Sequence, residues 1–142
     1  QHFRWQADYL ARRGMLAARV DYRVDSRHGT LPNDAVYDGR DAIRWLRENA
    51  SKLGIDPTRI VAAGGSSGGH IAASSAITEQ SSHQHSYSAI PNLLVLFNPV
   101  LDLENPAFED IKELHDKYVS CGFEGANGGS RTLYLSRADQ KV

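Results

Sequence analysis

Cysteine is almost missing from this sequence: Cys121 stands alone, which excludes an internal disulfide and a cysteine-built structural zinc site and leaves the redox compartment open. An excess of charge of either sign is missing too. Sixteen Lys+Arg face 17 Asp+Glu for a formal net charge of −1, with no basic block, so the footprint for a phosphate backbone or an anionic membrane is absent and no nucleic-acid partner is expected. No apolar run approaches the roughly 20 residues a membrane span needs, and the residues after Gln1 lack the regions of a signal peptide. What is present is 142 residues, 41% hydrophobic and 23% charged. That mixture buries one sizeable core and argues against disorder, collagen-like repeats and coiled coil.

Along the chain, Phe3, Ala7, Leu10 and Ala11 share one helical face, and Gly14 supplies the left-handed position that ends the helix. Met15 to Val24 reads as a largely buried parallel strand, and polar Ser26 to Thr30 as a loop. A long helix starts at Asn33 or Asp34, with Ala35, Val36, Gly39, Ala42, Ile43, Leu46, Ala50 and Leu53 in a single stripe, punctuated by Gly54 and Pro57. Ile60 to Ala63 gives a second buried strand, His70 to Thr78 a helix of small residues, and Leu93 to Phe97 a third strand. Glu79 to Ser88 reads as an exposed loop, Pro106 to Tyr118 as helical, and Thr132 to Leu135 as a fourth strand. Strands alternating with helices predict an α/β fold, a parallel sheet with helices on both faces.

Gly64-Gly65-Ser66-Ser67-Gly68-Gly69 holds the pattern Gly-x-Ser-x-Gly in two registers, centred on Ser66 and on Ser67, directly between a predicted strand and a helix. In a nucleophile elbow the sharp turn forces the serine backbone into a strained conformation, which flanking glycines accommodate without clash. The hydroxyl is pushed clear of the sheet, and the helix N-terminus and the next N–H face the developing oxyanion. The competing reading is a turn that only packs tightly or cradles a phosphate. Against phosphate, no Gly-Lys-Ser/Thr ending is present, and Ser66 occupies the second glycine position of Gly-x-Gly-x-x-Gly.

With these residues in view, the chain resembles the middle of an α/β-hydrolase of the esterase/lipase group. The segments that carry the likeness are Asp21-Tyr22-Arg23, Ile55-Asp56-Pro57-Thr58-Arg59-Ile60, Gly64 to His70, and Phe97-Asn98-Pro99-Val100-Leu101-Asp102. The resemblance makes Ser66 the catalytic nucleophile and Ser67, where the family usually has Ala, the residue whose N–H enters the oxyanion hole. It implies a partial α/β-hydrolase fold, with residues 1–142 the central part of a single domain cut on both sides and 103–130 a cap or insertion segment that shapes the pocket. Asp139 follows the fourth strand in Ser136 to Val142, which is similar to the family's Gly-x-x-Asp-x-x-Val-Pro turn with Ser136 in place of Gly, and is the expected catalytic acid; Asp102 is the runner-up.

Two family components do not occur in the sequence: the His-Gly-Gly-Gly-type loop that gives a second oxyanion donor, and a histidine after Asp139. His70 matches a family position that is not the base, and His83-x-His85, with no third ligand nearby, reads as a polar loop rather than a metal site. The resemblance implies a serine carboxylester hydrolase acting through an acyl-enzyme on a small ester, with carbohydrate acetyl esters among the candidates. It implies no cofactor, and the 142-residue chain alone is expected to be inert. An oligopeptidase of the same fold and a non-catalytic hydrolase-like binding domain are the alternatives. Asp21 and Arg23 are expected to be satisfied by ion pairs or backbone contacts, and Trp5 and Trp45 to pack.

Overall fold

A computed structural model describes residues 3–77 and 86–101, and the backbone of 134–135. Its elements are α1 (Arg4–Ala11), β1 (Ala18–Arg19), α2 (Asp25–His28), α3 (Pro32–Glu48), α4 (Ala50–Leu53), β2 (Val61–Ser66), α5 (Ser67–Ile77), β3 (Leu93–Pro99) and β4 (Tyr134–Leu135).

The longest helix forms where the sequence pattern is strongest. Pro32 fixes its first turn, and the Asp34 carboxylate accepts the Leu31 N–H at 2.9 Å, so an otherwise orphaned donor is satisfied. Ala35, Val36, Gly39, Ile43 and Leu46 fall on its buried stripe. At Asn49 the helix breaks and restarts as α4, which Gly54 closes at φ 63.

β2 and β3 pair in parallel, with Val61 opposite Leu93 and Gly65 opposite Phe97. Their register is pinned at the amino ends by Asn92: its side-chain oxygen accepts the Ile60 N–H at 3.0 Å, and its own N–H donates to the Ile60 carbonyl at 2.8 Å. Arg47 of α3 reinforces this end by donating to the carbonyls of Ser88, Ile90 (2.7 Å) and Pro57 (3.1 Å) and to the Asn92 side chain (3.2 Å). The carboxyl ends are thereby brought level at Ser66 and Pro99.

Helices lie on both faces of this parallel pair. On one face Ala62, Leu94 and Leu96 pack with Ile43 and Leu46 of α3 and Ala72 of α5, together with Ala18 and Ile60. On the other, Phe3 at the start of α1 lies against Phe97, ring centroids 5.6 Å apart. The alternation along β3 follows: Leu93, Val95 and Phe97 point away from the main core and stay exposed. A groove of about 1220 Å³ runs along that second face, lined by residues including Tyr9, Leu10, Leu16, Leu93 and Val95.

Three readings are corrected. The strand expected over Met15 to Val24 shrinks to Ala18–Arg19, and its partner Tyr134–Leu135 runs antiparallel to it; an apolar run reports burial, not the direction of the neighbouring strand. The loop expected at Ser26 to Thr30 contains a helical turn, Asp25–His28, closed by Gly29 at φ 61. Trp5 is 84% exposed and Trp45 40% exposed among the described residues, so neither is a core side chain there.

Candidate active site

The six residues of β2 run straight into α5 with no intervening loop, and the junction is Ser66-Ser67. Ser66 carries φ 52, a left-handed conformation for a residue with a side chain; holding it costs on the order of 1–3 kcal/mol and persists only where the surroundings impose it. Part of that surrounding is visible at Gly65. A Cβ there would lie 2.8 Å from the Phe3 ring and 3.2 Å from the Phe97 carbonyl oxygen, so a side chain at that position would push against backbone. Ser66 and Ser67 are exposed, while Gly68, Gly69 and His70 are buried.

This geometry separates the two serines that the motif left equivalent. Ser66 ends the strand at its carboxyl edge with the positive φ, whereas Ser67 is the first helical residue of α5. The free N–H groups of the first turn of α5 begin at Ser67, where the helix dipole places partial positive charge. An exposed hydroxyl with N–H donors at its shoulder is an arrangement able to attack a carbonyl and stabilise the resulting anion.

His70, one turn into α5, is 2% exposed. Burial pushes its pKa down to about 4, so the ring is neutral near pH 7, and its Nδ1 lies 3.2 Å from the Val100 carbonyl, clasping the end of β3 to α5. That is a structural role, in keeping with its assignment as something other than the base.

Asp21-Tyr22-Arg23 also has its partners. The Arg23 backbone N–H and guanidinium both reach Asp38 of α3, at 2.8 Å and 2.7 Å, and hold the Asp38 carboxyl below its ordinary pKa against the burial that opposes this. Asp21 is exposed and pairs with Arg27 at 3.0 Å, so the two charges are satisfied separately. Between them Tyr22 packs on Ala35, Val36 and Ile71, which carries the segment onto the elbow helix.

Sequence reasoning missed two features. Asn98, beside the Ser66 end of β2, has φ 43, and buried Arg40 donates from α3 to the Ser74 carbonyl of α5 at 3.1 Å. Neither has a periodic or motif signal in the sequence. Asp139, Asp102, Cys121, His83, His85, His115 and the 103–130 segment lie outside the described residues. No cluster of metal-ligating side chains and no helix long and apolar enough to cross a membrane occurs among the described residues.

Comparison with known proteins agrees with this architecture. The sequence profile of a family described as alpha/beta hydrolase fold matches residues 1–140. The chain is 46% identical over 59 residues to carboxylesterase NlhH of Mycobacterium tuberculosis, a stretch covering 41% of this chain and 18% of that protein. It is 33% identical over 128 residues to an acetylxylan esterase of Xylanibacter ruminicola, covering 89% of this chain and 23% of that one. Among solved structures, butyrate-bound esterase 2 of Thermogutta terrifontis superposes with a TM-score of 0.66 at 40% identity, over 81% of this chain and 45% of that one. The same esterase phosphonylated by sarin gives 0.68 at 38% identity, again over 81% and 45%. The chain thus spans less than half the length of these relatives. With a strand-turn-helix junction at Ser66, a parallel strand pair between helices and a profile match over nearly its whole length, the chain belongs to the α/β-hydrolase fold family.

Proposed function

We propose that the protein is a serine ester hydrolase in which Ser66 is the nucleophile, the Ser67 N–H is one oxyanion donor and Asp139 is the acid of the triad. The observation that carries the reading is the exposed serine at φ 52 on the carboxyl edge of β2, directly before the first turn of α5. Relatives named as carboxylesterase, esterase and acetylxylan esterase support the bond and favour short acyl groups, acetylated carbohydrates among them.

In this mechanism the Ser66 Oγ attacks the ester carbonyl carbon while a histidine takes its proton, held in the required tautomer by Asp139. The carbonyl oxygen becomes an anion that accepts from the Ser67 N–H, a contact worth roughly 3 kcal/mol of barrier. The C–O bond to the alcohol breaks, the imidazolium returns the proton to the departing alkoxide, and water hydrolyses the acyl-serine by the same route. Neither described histidine serves as the base: His70 is engaged with Val100, and His28 accepts the Val24 N–H at 3.0 Å.

The test is hydrolysis of p-nitrophenyl acetate by the natural full-length polypeptide. Wild type is expected to turn over and Ser66→Ala to lose activity by on the order of a million-fold. A folded S66A protein retaining wild-type turnover contradicts the assignment.

A further inference from the structure

β3 departs from regular pairing at one point. Gly64 faces Leu96 and Gly65 faces Phe97, but Ser66 faces Pro99, which leaves Asn98 as an extra residue opposite the Gly65–Ser66 step. Asn98 has φ 43. Asparagine tolerates the left-handed region better than most residues, yet the conformation is costly, and Pro99 next to it pushes the preceding residue toward extended backbone.

The strain does not serve core packing, because Asn98 is exposed. It is maintained from behind: the His70 ring clasps the Val100 carbonyl at 3.2 Å and holds the segment after the bulge against α5. A bulge re-aims a side chain and recurs beside active sites. Two neighbouring parallel strands therefore carry, at the same edge, exposed polar residues with left-handed backbone: Ser66, the last residue of β2, and Asn98, one residue before the end of β3.

We infer that Asn98 is a substrate-contacting residue whose carboxamide recognises hydroxyl groups on the alcohol part of the ester, which makes acetylated carbohydrates the matching substrate class. A carboxamide offers uncharged N–H donors and a carbonyl acceptor together. The hydroxyls flanking an acetyl group on a sugar ring are each donor and acceptor, whereas a simple aryl or alkyl ester gives such a group nothing to bind. The inference rests on Ser66 being the nucleophile.

The test compares wild type, Asn98→Gly and Asn98→Ala in the natural full-length polypeptide, on an acetylated xylo-oligosaccharide and on p-nitrophenyl acetate, with an organophosphonate reporting on Ser66. Glycine accepts the left-handed backbone without strain while deleting the side chain that carries the carboxamide. N98G should therefore lower the kcat/KM ratio of sugar ester to p-nitrophenyl ester roughly tenfold, mostly through KM, as the loss of one good hydrogen bond would. Its Ser66 should still take the adduct. N98A, strained at this φ, should lose further on both substrates. An unchanged ratio in N98G, or an equal loss on both substrates, overturns the inference while an adduct on Ser66 leaves the nucleophile assignment standing. Folded wild-type protein without an adduct at Ser66 overturns both.

Discussion

Ser66 holds a conformation that glycine would adopt more cheaply, at φ 52, and this separates its chemistry from its stability. Ser66→Gly is expected to unfold at higher urea than Ser66→Ala by about 1 kcal/mol, because alanine retains the left-handed strain and glycine does not; equal midpoints would contradict a strained elbow. At Gly65 the expectation reverses. A methyl group would meet the Phe3 ring at 2.8 Å and the Phe97 carbonyl at 3.2 Å, so Gly65→Ala should cost roughly 1–3 kcal/mol in urea unfolding. His70 adds a pH dependence whose sign follows from burial. Its pKa falls from the ordinary 6.5 to about 4, so between those values the unfolded chain binds a proton that the folded one refuses. Stability is full above pH 6.5 and falls as pH drops toward 4, by on the order of 3 kcal/mol. His70→Asn, which keeps a donor for Val100, should flatten the difference in urea midpoint between pH 7 and pH 4.5 relative to wild type.

Among the elements, the β2–α5 junction depends on what happens at the opposite end of the strands, where Arg47 and Asn92 set the register. Arg47→Ala should destabilise by on the order of 2 kcal/mol through several carbonyls losing a charged donor, with Arg47→Lys recovering only part, since one ammonium cannot span the same fork. Chemical denaturation of the two variants checks this. Legibility in the sequence also divides by element. The α3 stripe was readable because periodicity of 3.6 residues repeats over 17 residues, and the elbow was readable because glycine pairs flank two adjacent serines between strand and helix. β1 was overread, since burial does not reveal pairing direction, and the Asp25–His28 turn was hidden by its polar composition. The Asn98 bulge could not be seen, because a register shift is a property of two strands aligned together and leaves no mark in either one alone.

For the whole molecule, the two faces of the parallel pair are treated differently. α3 and α5 cover one, whereas Leu93, Val95 and Phe97 remain 58%, 38% and 49% exposed on the other among the described residues, beside the groove of about 1220 Å³. Neither Ser66 nor Ser67 lines that groove, so it is apolar surface distinct from the candidate site. A contiguous patch of this kind is expected to make the 142-residue chain bind anilinonaphthalene sulfonate with a clear rise in fluorescence at native pH; no rise would mean that the face is covered. Catalysis requires more than the described architecture supplies, because Ser66 has no described imidazole beside it. The central claim is therefore that the strained bend at position 66 presents an activated hydroxyl once the full-length polypeptide is folded. Its most direct test is peptide mapping by mass spectrometry after treatment of that polypeptide with a fluorophosphonate: a single adduct on the peptide containing Ser66, abolished in S66A, is expected, and a folded protein that takes no adduct, or takes it on another residue, would contradict it.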